Sequence, residues 1–287
     1  MTLGSRSHDP DASPEPLDPE RILAALSPGA RGAIARLEIH TEIDSTNRYL
    51  MREAATGASC GTLCLAECQT AGRGRLGRPW ISPFGASLYL SMLWRYSAPP
   101  AALGGFSLVA GAVVADVLRR IGVEGLALKW PNDLIWGRRK LGGMLLEVAG
   151  EARGPSALVV GVGINVRMAP DQGIGIDQPW VDLAEVLGHP TVGRNALAAL
   201  VADALIDAFQ RFGREGLTPF LALWAEFDAF RGESVRILLP DREIRGRVLG
   251  IASDGALRLD TADGEMQFHA GEVSLRREAE FGGEGER

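Results

Sequence analysis

Between residues 125 and 166 the sequence places four β-type runs in succession, "GLALKW", "DLIW", "KLGGMLLEVAG" and "ALVVGVGINV", with only tight turns between them. A parallel neighbour needs a crossover of a dozen or more residues, so runs this close must pair antiparallel, and a doubly wound parallel sheet is excluded. Upstream, "IARLEIHTEI" reads as a strand and "STNRYLMREAATG" as a helix opened by a polar cap and closed by Gly57. "GTLCLAE" and "ASLYLSMLW" are further strands, and a helix covers roughly 105 to 121. In "RNALAALVADALIDAFQRFG" the residues Leu197, Leu200, Val201, Leu205, Phe209 and Phe212 recur at three- or four-residue intervals, which predicts a long helix packed on the sheet; another opens at Thr218-Pro219. Near Gly232 the texture changes to short strands, "SVRILL", "IRGRVLGIAS", "ALRLDT" and "EMQFHAG", punctuated by the hairpin signals Asp254-Gly255 and Asp263-Gly264.

The expected fold class is α+β. A mixed, largely antiparallel sheet with packed helices occupies residues 18–232, and a small C-terminal β-barrel occupies 233–278. Asp18 caps a short first helix with Pro19 at its first position. Residues 1–17 alternate breakers and acids and read as a disordered tail, while 279–287 are charged and glycine-rich and read as a frayed tail.

With 46% apolar and 23% charged residues the chain has the balance of a globular protein, and its net charge of -6 offers no basic face for nucleic acid. No apolar run reaches the roughly eighteen residues of a membrane span, and the N-terminus lacks a signal pattern, so the cytoplasm is the expected compartment. Cys60, Cys64 and Cys68 recur every four residues. No histidine lies near them and two fall in a strand-like run, so they read as buried thiols rather than as a metal site.

The segment "QTAGRGRLGRPW", residues 69–80, concentrates Arg73, Arg75 and Arg78 among glycines. Gly72, Gly74 and Gly77 have the spacing of a dinucleotide fingerprint, but Pro79 and Trp80 follow where that fingerprint needs a helix to open. Two readings remain, a solvated basic loop or a mobile loop that folds over a bound anion through forked guanidinium donors. In "KWPNDL", Lys129 ends a β run, where an ammonium either snorkels outward or meets an anion. Asn132 and Asp133 shape the following turn, or Asp133 helps to hold a magnesium ion. Gly161 and Gly163 interrupt a core-like strand just before Asn165, which points to a close approach by a ligand or backbone, or to a bulge. Ser45, Thr46 and Asn47 start a helix and expose hydroxyl and amide groups that suit a polar ligand.

Ser45-Thr46-Asn47, "QTAGRGRLGRPW", "SPFGASLYLSM", "KWPNDL", "RKLGGMLLE" and "GVGINV", in this order over residues 38 to 166, together resemble the biotin-protein ligases. The resemblance implies the family's catalytic fold, like that of class II synthetases, with helices on one side of the sheet and a C-terminal SH3-like barrel. It implies a two-step reaction in which biotin and ATP give biotinyl-5'-adenylate and pyrophosphate, and a lysine of a biotin carboxyl carrier domain then takes the biotin. Biotin contacts then fall on Ser45, Thr46, Asn47, Gln69, Arg73, Gly74, Arg75, Lys129, Gly161 and Gly163. Arg75, Arg78, Trp80, Asn132, Lys140 and Asn165 face the nucleotide. Lys129, Arg73 and Arg75 carry the catalytic roles, and Mg²⁺ is the expected metal, with Asp133 as its ligand.

Some family members add an N-terminal DNA-binding domain and act as repressors. The residues before the main domain leave no room for one beside the tail, so the short form is expected. Such ligases can pair as homodimers through a sheet edge, and the barrel either docks the carrier or completes the ATP site. A lipoate or octanoate ligase of the same superfamily is the nearest rival. A nucleic-acid binding protein using the arginine loop and the barrel is a second.

Overall fold

The computed structural model describes residues 15–188, 192–239, 242–270 and 274–277. Residues 1–14 of the expected N-terminal tail and all of the C-terminal one lie outside the described residues. Glu15, Pro16 and Leu17, which composition assigns to the tail, instead belong to the packed structure. Leu17 is buried and its N–H donates to Glu67 Oε1 at 2.6 Å, while Asn195 Nδ2 donates to the carbonyl of Pro16 at 2.9 Å.

Two short helices open the chain, α1 (Pro19–Ala25) and α2 (Pro28–Ala33). Each carries proline in its first turn, where no intrahelical N–H bond is lost, and each has a side-chain cap, from Asp18 and Ser27 respectively. The parallel pair β1 (Arg36–Ile43) and β2 (Thr62–Gln69) is joined by α3 (Thr46–Ala55), which supplies the crossover such a pair requires. Then follow β3 (Ser87–Tyr96), α4 (Phe106–Arg120), β4 (Leu126–Lys129), β5 (Asp133–Trp136), β6 (Arg139–Gly150) and β7 (Ser156–Asn165). The strand order is β1-β2-β3-β7-β6-β5-β4, and every pair other than β1-β2 is antiparallel. The outer edge of β4 is covered, since Leu128 exchanges backbone hydrogen bonds with Phe227 and Ala229 at 2.7 and 3.0 Å.

Strand alternation divides the side chains between two faces. Leu63 and Leu65 of β2, Leu88, Leu90 and Met92 of β3, and Val160, Val162 and Ile164 of β7 enter the main core. That core also receives α4, α6 (Arg194–Glu215) and α7 (Thr218–Glu226). Cys64, Leu93 and Val159 point the other way, onto Leu50 and Ala54 of α3. Helices therefore lie on both faces rather than on one, and the face beyond the N-terminus of α3 is left for the site. A brief helix, α5 (Leu183–Leu187), precedes α6.

On α6 the anticipated stripe is buried except for Leu200, which is 40% exposed; Ala198, Ala202 and Ile206 occupy the core in its place. Phe209 of α6 stacks between Trp94 and Phe106, with ring centroids 5.0 Å apart in each pair. By length and composition Pro100–Arg120 passes for a membrane span, contrary to the sequence expectation. Phe106, Val109, Ala112 and Leu118 are nevertheless buried in the protein core, and the helix serves there.

The C-terminal unit is a five-stranded antiparallel sheet of β8 (Ser234–Leu238), β9 (Glu243–Ile251), β10 (Leu257–Thr261), β11 (Gly264–Phe268) and β12 (Ser274–Arg277). Its order is β11-β10-β9-β8-β12, with β11 and β12 at opposite ends. The expected barrel thus appears as an antiparallel sheet whose ladder does not close among the described residues. Gly255 has φ +90° in the turn between β9 and β10, as the Asp254-Gly255 signal requires.

The start of α6 is fastened to β2 of the main sheet by an ion pair between Arg194 Nη2 and Glu67 Oε2 at 2.6 Å, whose side chains are only 4% and 8% exposed. Removing one partner strands the other charge in the interior. Arg194→Ala is therefore expected to cost about 3–5 kcal/mol of unfolding free energy in urea titrations; a loss under about 1 kcal/mol, the level of a surface pair, would contradict this.

Candidate active site

All sixteen candidate residues named from the sequence line a single cavity of about 230 Å³, at the N-terminal end of α3 on the face of the sheet opposite the main core. Its floor is a continuous polar chain. Ser45 caps α3 by accepting from the Arg48 N–H. The Thr46 N–H donates to Gln69 Oε1 at 2.9 Å, and Gln69 Nε2 donates to Ser82 Oγ at 3.0 Å. The Ser91 hydroxyl donates to Asn47 Oδ1 at 2.6 Å and lies 2.7 Å from Thr46 Oγ1. Asn47 Nδ2 reaches the carbonyl of Leu145 at 3.2 Å and Glu147 Oε2 at 3.0 Å.

Gly161 and Gly163 pair in register with β3 and β6, without a bulge. Their missing side chains make room for two other site residues rather than opening directly onto a ligand. A Cβ at 161 would lie 2.2 Å from Asn47 Oδ1, and one at 163 would lie 2.8 Å from the Trp80 ring. The two glycines therefore let an α3 side chain and an aromatic side chain settle against the sheet.

The arginine segment is an ordered hairpin. Arg73 and Pro79 bridge, Gly74 N–H donates to the Arg78 carbonyl at 2.8 Å, and Trp80 N–H donates to the Gly72 carbonyl at 2.9 Å. Only a 3-10 turn, Arg75–Gly77, occupies the position where a dinucleotide fingerprint would need an α-helix. Leu76 sits at the tip with φ +56°, a conformation that costs a non-glycine residue energy, and its side chain is exposed. Arg73 Nη2 donates to Glu147 Oε1 at 2.8 Å. Arg75 Nη2 donates to the Ala270 carbonyl at 2.7 Å, so the hairpin touches the C-terminal sheet. Burial pulls the Arg75 guanidinium below its ordinary pKa, and the nearby Asp133 carboxylate opposes that shift.

At the other end, Lys140 Nζ is paired with Asp133 Oδ1 at 2.8 Å and lies 5.3 Å from the centre of the Trp80 ring. Lys129 lines the same space from the end of β4, with Nζ 5.9 Å from the Phe230 ring centre. The amide nitrogens of Asn132 and Asn165 are engaged with backbone, the first with Met144 O and the second with Val181 O at 3.0 Å. Both residues thereby shape the cavity walls. No group of three or more His, Cys, Asp or Glu residues suited to a metal occurs among the described residues, and all three cysteines are free thiols. Burial raises the pKa of each thiol.

Two walls go beyond the sequence reading. The segment after β7, expected to be a loop without a site, contributes Gly175, Ile176, Asp177, Gln178 and Trp180. It is stitched to β6 by Lys140 N–H to Pro179 O at 2.8 Å and Val181 N–H to Lys140 O at 2.9 Å. The available signal was the tryptophan that ends "RMAPDQGIGIDQPW". From the C-terminal sheet come Leu275 and Arg276 of β12, a strand the sequence pattern did not mark. Trp130, buried beneath the cavity, also joins the sheets through Nε1 to Gly255 O at 3.2 Å.

Residues 40–165 match the biotin/lipoate A/B protein ligase family, and 230–276 match the biotin protein ligase C-terminal domain. The bifunctional ligase/repressor BirA of Escherichia coli is 42% identical over 266 residues, covering 92% of this chain and 80% of that protein. The biotin–acetyl-CoA-carboxylase ligase of Mycobacterium tuberculosis is 35% identical over 92% of this chain and 98% of its own length. Among solved structures, the biotin protein ligase from Aquifex aeolicus in complex with biotin and ATP superposes with a TM-score of 0.72 at 30% identity, covering 85% of this chain and 100% of that one. With the arginine hairpin, the polar floor and the C-terminal sheet each falling inside a matched region, the chain belongs to the biotin protein ligase family.

Proposed function

We propose that this protein activates biotin with ATP and transfers it to a lysine of a biotin carboxyl carrier domain in a biotin-dependent carboxylase. The observation that carries this reading is the joining, in one cavity, of a neutral hydrogen-bonding floor with a cationic rim of Arg73, Arg75, Lys129 and Lys140. A ureido-bearing acid needs the first and a triphosphate the second. The free thiols suit the reducing cytoplasm.

In the first step a carboxylate oxygen of biotin attacks the α-phosphorus of ATP. The bond from that phosphorus to the bridging oxygen breaks, and pyrophosphate leaves with the electron pair. Negative charge on the phosphate oxygens is met by fixed cations, which need no reorganisation during the reaction. Trp80, braced against Gly163 and flanked by Lys140, offers a face for the purine. In the second step the carrier amine attacks the acyl carbon, forms the amide and expels AMP, and the nitrogen loses its proton to solvent. Between the steps the mixed anhydride must be kept from water. The hairpin, held down by Arg75 on the Ala270 carbonyl, lies where it can do this.

Asp133 already holds Lys140, and no cluster of acids stands beside it among the described residues. These residues do not fit a resident magnesium site. The metal is instead substrate, carried in on the triphosphate.

The test is biotin-dependent exchange of labelled pyrophosphate into ATP, with lipoate and no acid as parallel reactions. Exchange with biotin alone is expected. Exchange with lipoate instead would keep the acyl-adenylate chemistry and overturn the substrate. In the same system Arg75→Gly removes a charged hydrogen bond from the hairpin, so release of biotinyl-adenylate is expected to accelerate roughly tenfold or more; unchanged retention on filters would show that the hairpin does not hold the intermediate.

A further inference from the structure

Glu147, on β6, has no role in the reading above, yet its carboxylate meets two residues that do. Oε2 accepts from Asn47 Nδ2 at 3.0 Å and Oε1 accepts from Arg73 Nη2 at 2.8 Å. One side chain thus ties together the start of α3, the arginine hairpin and a floor strand. Asn47 cannot shift to compensate, because it is 3% exposed, seated against Gly161 and engaged by Ser91. Arg73 is held by one Nη only, while its Nε is buried without a hydrogen-bond partner. The guanidinium is planar, so fixing one corner restricts the directions of its other donors.

We propose that Glu147 is a positioning residue for the first step: it locks the Asn47 amide in the floor and presets the Arg73 fork, so that an incoming biotin carboxylate meets Arg73 donors already in place. Prior ordering lowers the entropic cost of binding. This inference rests on the proposed biotin activation.

Glutamine at 147 presents one acceptor and one donor, so it can serve only one of its two partners; aspartate keeps two acceptors on a shorter arm. With Glu147→Gln, the KM for biotin is expected to rise about tenfold, with the KM for ATP within about twofold and the melting temperature nearly unchanged. Glu147→Asp recovers part of the loss. On an Arg73→Ala background the Glu147→Gln effect is expected to shrink, because one of its routes to substrate is gone. An unchanged biotin KM overturns the proposal, as do equal losses for both substrates with a lowered melting temperature, or full additivity with Arg73→Ala. A wild-type chain without biotin-dependent exchange would overturn the functional reading itself, and this inference with it.

Among 287 residues there are twenty-eight arginines and two lysines, Lys129 and Lys140, and both line the cavity. An acyl-adenylate acylates amines: nitrogen attacks the acyl carbon, the bond to phosphate oxygen breaks and AMP departs. A guanidinium stays protonated and is no nucleophile under these conditions. Lys140, the lysine beside the Trp80 ring, is engaged by Asp133 Oδ1 at 2.8 Å, which commits its nitrogen to that ion pair rather than to attack on the acyl carbon.

We infer that the side chains of this protein are refractory to acylation by its own intermediate, which reserves transfer for a carrier lysine. The Arg75→Gly protein, incubated with biotin, ATP and magnesium beside a lysine-rich bystander, is expected to label the bystander while adding no biotin to its own side chains by intact mass and peptide mapping. Adding exposed lysines through Arg211→Lys, Arg245→Lys and Arg258→Lys should create adducts at those positions. Biotin on Lys129 or Lys140 would overturn the inference, and so would added lysines that stay unlabelled while the bystander is modified.

Discussion

The buried amide of Asn47 is the constraint on which the site depends. A primary amide taken out of water costs several hydrogen bonds' worth of stability unless both ends are satisfied. Here Ser91 of β3 serves the oxygen, and Leu145 and Glu147 of β6 serve the nitrogen. The amide can approach those strands only because β7, which runs between them, has glycine at 161. Helix α3, three central strands and, through Glu147, the arginine hairpin are therefore held in register by one side chain. A network of this kind leaves little slack, and that rigidity is what a preorganised site requires.

Local signals carried much of this. Tight turns specified the antiparallel order of β4 to β7, and Ser45 marked the start of α3 because a hydroxyl cap has a short-range physical effect. The candidate residues converged on one cavity because each short motif contains the turn or strand end that aims its own side chains. What escaped was non-local. Glu147 reads as an ordinary polar residue of an alternating strand until Asn47 and Arg73, 100 and 74 positions away, are placed beside it. The hairpin at 73–79 is held by its own backbone bonds, which composition does not reveal; its glycines suggested mobility instead. Leu200 kept the helical period yet faces outward, since the depth of the groove that α6 enters is set by its neighbours. The short strand β12 is charged and brief, and only its pairing with β8 makes it a strand.

An acidic protein with a cationic cavity has to concentrate its positive charge. With a net charge of -6, the approach of a triphosphate is opposed by the molecule as a whole and favoured only near the rim. The rim charges are themselves restrained by carboxylates, Arg73 by Glu147 and Lys140 by Asp133. Such partners offset the repulsion of gathered cations and fix their geometry. The cost is that an incoming anion must compete with them, which favours a polyanion over a single carboxylate at the Lys140 end.

The cavity also explains why a second sheet is needed. The main sheet supplies a floor, but a flat sheet face cannot surround a nucleotide. Walls come from the hairpin, the segment around Trp180 and β12, which belong to separate parts of the chain. Trp130 on Gly255 and Arg75 on Ala270 connect the C-terminal part of the chain to two residues that line the same space. Both connections are hydrogen bonds to backbone carbonyls, so they depend on the path of the turns rather than on particular side chains in the small sheet. Leu275 and Arg276 of β12 line the same cavity, so the second sheet closes the site through the path of its turns and through the residues of its last strand together.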